Sequence, residues 1–161
     1  MNAKKALSVV FSLCLIFSIV FVSAGCTASA DKYKPVYKYT DDTGKEIYDW
    51  PAGGETGMID VPGGKVAYRV YGKDKQGTPL VCVHGGPGGN YSKFYKQISL
   101  AEERPVILYD QLGCPLSEVD ESVYDSPEKV KSLYTIDRYT DELDCVIKYF
   151  KLNDFILYGT S

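Results

Sequence analysis

Histidine is almost missing from this 161-residue chain, and His84 is the only one. A reaction that needs a histidine base has no second candidate here. Positive charge is not in surplus either. The formal charge of −3 leaves no broad basic surface for nucleic acid. The five cysteines show no metal-ligand spacing, and nothing in the sequence asks for a metal or cofactor. Cys14 and Cys26 belong to the first apolar stretch and its end. Cys82, Cys114 and Cys145 remain, an odd number that argues against a disulfide framework. Cys82 and Cys145 read as small core residues. No internal repeat, heptad pattern or collagen-like period is present, which excludes solenoids and coiled coils.

What is there begins with an export signal. Lys4 and Lys5 precede an almost purely apolar run, Ala6 to Val22, which ends in Ser23, Ala24 and Gly25. That order is a secretory signal over residues 1–25. The run enters Cys26 directly, and Ser-Ala-Gly-Cys resembles a bacterial lipobox, with Ser23 where leucine is usual. The resemblance implies lipidation of Cys26 and an extracytoplasmic protein held to the membrane. An uncleaved membrane-spanning anchor stays open as the alternative, because the run is nearly long enough to cross.

Residues 26–56 are polar, with Tyr, Lys, Asp and Gly interleaved, and read as a tether. A domain is expected over 57–161. Met58 to Val61 and Lys65 to Tyr71 read as an antiparallel hairpin around Pro62-Gly63-Gly64. Leu80 to Val83, Val106 to Tyr109 and Phe155 to Tyr158 are continuous apolar runs, expected as parallel strands covered on both faces. Between them Tyr91 to Leu100 is a short helix, and Ser126-Pro127 is a helix start. Ile136 to Leu152 is the clearest helix. Its apolar stripe is Ile136, Tyr139, Leu143, Val146, Ile147 and Phe150. Asp137, Arg138, Asp141, Asp144, Lys148 and Lys151 lie opposite, Asp144 and Lys148 form an i,i+4 pair, and Asn153 can end the helix. The fold class is α/β: a hairpin leading into a mostly parallel sheet with crossover helices.

Two loops follow strand ends, where open α/β sheets place their sites. The first is His84-Gly85-Gly86-Pro87-Gly88-Gly89. Its glycines present backbone N–H groups unobstructed, which suits a developing oxyanion. A phosphate cradle would want a following lysine and Ser/Thr in P-loop spacing, and neither occurs. The second is Gly159-Thr160-Ser161, which fits the start of the elbow that presents a nucleophilic serine.

The six residues 84–89, the segment Tyr109-Asp110-Gln111-Leu112-Gly113-Cys114-Pro115-Leu116-Ser117, and Tyr158-Gly159-Thr160-Ser161 together resemble the proline iminopeptidases, in that family's order and spacing. The resemblance implies an α/β-hydrolase fold of which this chain holds the N-terminal half. It implies Ser161 as nucleophile and the Gly86 N–H as one oxyanion donor. Gly85, Pro87, Gly88 and Gly89 shape that loop, and Asp110, Gln111 and Gly113 belong to a supporting loop. The substrate implied is a peptide, or a small amide or ester, with release of N-terminal proline through an acyl-enzyme. Two departures bear on the supporting loop. Pro115 replaces glycine, and Leu112 replaces a frequent arginine, removing a possible ion pair.

His84 precedes the serine, whereas the base follows it in this fold, so His84 is read as holding its loop. The base, its acid and the second oxyanion donor are absent from the chain. The polypeptide alone is therefore expected to be inactive, with apolar strand edges exposed. Two other readings stand beside the peptidase: a non-catalytic envelope lipoprotein with a degenerate hydrolase domain, and an esterase or other hydrolase of the same fold.

Overall fold

The computed structural model describes residues 32–42, 44, 46–86 and 88–161. The signal, Cys26 and Pro87 lie outside the described residues.

The polar stretch read as a tether contains an antiparallel pair, β1 (Val36–Thr40) and β2 (Glu46–Asp49). A six-stranded sheet follows. Its hairpin is β3 (Glu55–Val61) and β4 (Gly64–Tyr71), joined at Pro62-Gly63. Proline pre-sets φ for the first turn position, and Gly63 takes the φ of 91° that the second requires. Gly64 must also be glycine, since a Cβ there would sit 2.0 Å from the Glu118 carbonyl.

The other strands are β5 (Leu80–Val83), β6 (Val106–Tyr109), the two-residue β7 (Glu118–Val119) and β8 (Ile156–Gly159). The order is β3-β4-β6-β5-β8, with β7 on β4. The β4 pairings are antiparallel, and β6-β5-β8 run parallel. This is the expected α/β layout.

Alternation along β5 and β6 divides the core between two faces. Val81, Ile107 and Tyr109 join Ile59, Val66, Val70 and Val146 on one side. Leu80, Cys82, Val106 and Leu108 join Tyr91, Phe94 and Ile98 on the other. Each such side chain contributes roughly 1.5–3 kcal/mol by leaving water. Helix α1 (Pro127–Ser132) starts as expected, with the Ser126 hydroxyl accepting from Lys129 N. The helix expected at 91–100 is a 3₁₀ segment, Tyr91–Glu102, kinked at Phe94.

Helix α2 (Ile136–Tyr149) departs from its reading in three ways. Ile136 is 82% exposed, because it lies on the flank of the stripe that Tyr139, Glu142, Leu143 and Val146 turn to the sheet. Arg138 turns inward, its side chain only 10% exposed. The left-handed residue that ends the helix is Lys151 (φ 54°), not Asn153. The Asp144–Lys148 pair is present. A fourth correction concerns β8. Ile156, Leu157 and Tyr158 are 41–51% exposed rather than covered, and among the described residues β8 pairs only with β5.

Candidate functional site

The two strand-end loops meet. Thr160 N donates to Val83 O at 3.2 Å, which seats the turn after β8 beside the turn after β5. A Cβ on Gly85 would lie 2.2 Å from Ser161 Cβ, 2.2 Å from Thr160 O and 2.9 Å from Ser161 Oγ. Only a residue without a side chain allows this approach. Ser161 has φ 76°, a left-handed conformation that non-glycine residues hold only when their surroundings impose it. An open cavity of about 410 Å³ adjoins the serine. His84, Gly85, Gly86, Gln111, Tyr134 and Tyr139 help to line it. Gly86 (φ 68°) is exposed, and a Cβ there would meet nothing within 4 Å. Gly88 (φ 79°) also takes the left-handed form, and Gly89 N donates to Gly86 O at 3.4 Å to close the loop.

His84 is buried and clamped to the neighbouring loop. Its Nε2 accepts from Gln111 N at 3.0 Å, and its carbonyl accepts from Gln111 Nε2 at 2.9 Å. A backbone N–H can only donate, so Nε2 is unprotonated and the proton sits on Nδ1. The single lone pair that makes imidazole a base is therefore occupied. Burial pushes the His84 pKa below its ordinary value, and the nearby Lys93 charge adds to that. The folded state thus favours neutral His84, whereas the unfolded chain protonates it near pH 6.5. Stability should be constant above that pH and fall as pH drops below it. Thermal unfolding from pH 8 to 5.5 measures this, and His84→Gln, an acceptor that does not titrate, should flatten the slope.

Asp110 is fully buried and organises three strands of contact. Its Oδ1 accepts from Tyr91 N at 2.7 Å, its N donates to Ala67 O at 2.9 Å, and its carbonyl accepts from the Ser117 hydroxyl at 2.7 Å. Gly113 takes φ 82° within the turn closed by Cys114 N on Gln111 O. The proline at 115 fits without distortion. It is the second residue of a turn in which Ser117 N donates to Cys114 O, the position a fixed φ favours.

Leu112 meets a buried ion pair through its backbone. Glu142, 1% exposed, accepts from Leu112 N at 2.8 Å and pairs with Arg138 one helical turn away. Arg138 also stacks 4.0 Å over the Tyr139 ring. Burial raises the Glu142 pKa, against the opposing pull of the Leu112 amide and Arg138. Sequence reasoning missed this pair and the aromatic wall of Tyr134 and Tyr139. One signal was available: Glu142 interrupts an otherwise apolar stripe, which a solvated glutamate has no reason to do.

A hairpin feeding a parallel sheet, with a glycine loop after one strand and a strained serine after the next, is part of the α/β-hydrolase fold. Solved structures bear this out. VinJ superposes with a TM-score of 0.56 at 33% identity, covering 66% of this chain and 35% of that one. A proline iminopeptidase of Mycobacterium smegmatis gives 0.53 at 22%, covering 66% and 35%. In sequence, a proline iminopeptidase of Heyndrickxia coagulans is 37% identical over 105 residues, 65% of this chain and 34% of the relative. The chain thus spans about a third of the length of the curated relatives it matches. Epoxide hydrolases and an N-acyl homoserine lactonase share the fold at about a fifth identity. No protein-family model matches.

Proposed function

We propose that this chain carries the nucleophile and one oxyanion donor of a serine hydrolase, and that the reaction is release of N-terminal proline from peptides. The left-handed Ser161 pressed against Gly85 carries the reading. Such a serine is held at a sharp turn with its hydroxyl presented at the sheet edge. Its Oγ attacks the scissile carbonyl carbon and loses its proton to a general base. The carbonyl oxygen gains charge beside the Gly86 N–H. The amine then leaves with a proton, and water hydrolyses the acyl-enzyme. Serine at 161 counts against epoxide hydrolysis, which uses a carboxylate nucleophile in this fold. Amide and ester hydrolysis remain, and the iminopeptidase relatives favour the amide of an N-terminal proline. An exported protein lipidated on Cys26 is part of the same proposal.

The base is not His84, whose lone pair is committed to Gln111 N. Catalysis therefore needs a histidine that the 161 residues do not contain. The same observation favours a second reading, a non-catalytic envelope lipoprotein, if the gene product supplies none. Assaying the gene's full-length product on prolyl p-nitroanilide separates the two. Turnover, with a fluorophosphonate adduct mapping to Ser161 and both lost in Ser161→Ala, is the expected result. The 161-residue chain alone should give neither. Undiminished turnover in Ser161→Ala would remove the serine mechanism.

A further inference from the structure

The glycine loop has a second cavity on its other flank. Gly85 and Gly86 border the space beside Ser161, whereas Gly88 borders a larger one, about 490 Å³, with Tyr48, Trp50, Arg69, Asn90 and Tyr91. Arg69 reaches it from β4, a strand fixed on both sides by pairing. Its guanidinium carbon lies 4.9 Å from the centre of the Trp50 ring. Trp50 in turn sits 5.0 Å from Tyr91, with the rings tilted by 57°.

The charge of Arg69 is met by rings and hydroxyls. It acts on Tyr71 and Tyr91, whose hydroxyls burial pushes up and Arg69 holds back. Among the described residues no carboxylate reaches it at ion-pair distance. Its Nε is buried with no hydrogen-bond partner there. Asp110 also acts on the Tyr91 hydroxyl, but its Oδ1 accepts from Tyr91 N. Asn90 Oδ1 is used by Ser92, so the Asn90 amide is oriented with its N–H₂ away from that bond. A buried-stem arginine with a fork of donors, flanked by aromatic faces, suits a planar carboxylate better than a spherical or neutral ligand.

We propose that this cavity binds a small carboxylic acid with an aromatic body, the carboxylate on Arg69 and the ring against Trp50 and Tyr91. It would be a site separate from that of Ser161, on the opposite side of the loop that supplies the Gly86 N–H.

Trp50 is the only tryptophan of the chain, so its emission reports this cavity directly. The whole chain is titrated at constant ionic strength with phenylacetate, phenylacetamide and inorganic phosphate. Phenylacetate should give a saturable change in emission, with both other probes at least tenfold weaker. Arg69→Gln should weaken phenylacetate at least tenfold while keeping the wild-type circular dichroism. Equal response to phenylacetamide means a greasy cleft, and equal response to phosphate means a diffuse anion effect. Either result overturns the proposal, as does wild-type affinity in folded Arg69→Gln or an emission that ignores phenylacetate. If Arg69→Gln does not fold, the comparison of acid with amide on the unaltered chain decides alone.

Discussion

Truncating Glu142 to alanine will destabilise the domain by about 3–5 kcal/mol, read as a shift in the urea unfolding midpoint. The residue is 1% exposed and has two partners that cannot find others. Its loss leaves the Arg138 guanidinium buried with no counter-charge. Among the described residues the Nε and Nη2 of Arg138 already lack partners, so no second acceptor stands in for Glu142 there. It also leaves Leu112 N unsatisfied. The loop carrying Leu112 is the one whose Gln111 grips His84 from both sides. Glu142→Gln keeps an acceptor for Leu112 N and should cost less than the alanine. Replacing both Arg138 and Glu142 by apolar residues should also cost less than Glu142→Ala alone, since no charge is then stranded. A double variant as unstable as the sum of the singles would show that the pair does not act as one unit.

If Ser161 acts as proposed, Gly85→Ala will lower turnover of the gene's product by at least roughly a hundredfold, the scale of a misplacement near 1 Å at a reacting centre. The added methyl would fall 2.2 Å from Ser161 Cβ and 2.2 Å from Thr160 O. One of those atoms is backbone, so no rotamer change relieves it, and the two turns must part. Gly53→Ala, at another left-handed glycine (φ 88°) away from Ser161, is the control. Its Cβ meets open space, and the penalty is only that of a left-handed residue, about 1–2 kcal/mol. Gly85→Ala should therefore lose activity far in excess of any stability lost, measured as kcat/KM beside a thermal melt. Equal activity in the two variants would mean that Ser161 and Gly85 do not work in contact.

The strands and their faces were legible because their causes are local. Continuous apolar runs at 80–83 and 106–109 mark strands buried on both sides, and they are buried so. The same pattern at 155–158 is not buried, because burial of a strand depends on what lies over it, and among the described residues β8 has a neighbour along one edge only. In α2 the helical period was correct, but its rotation about the axis was off by part of a turn. Ile136 counted as core and Arg138 as surface, and the structure reverses both. Hydrophobicity gives a face only to within the width of its stripe, and a buried ion pair beside that stripe is invisible to it.

Sequence alone determined the chemistry at hand: a serine after a strand, a glycine loop after another, and a single histidine. Those follow from residue type and from spacing along one chain. Tertiary structure decided how they are used. That Gly85 must lack a side chain follows from Thr160 and Ser161, 75 or more residues later. That His84 is a neutral acceptor follows from an amide 27 residues on, at Gln111. That the Leu112 amide rests on the Arg138–Glu142 pair follows from helix α2 docking over the loop. Distances between residues far apart in sequence are set by packing, and no local pattern encodes them.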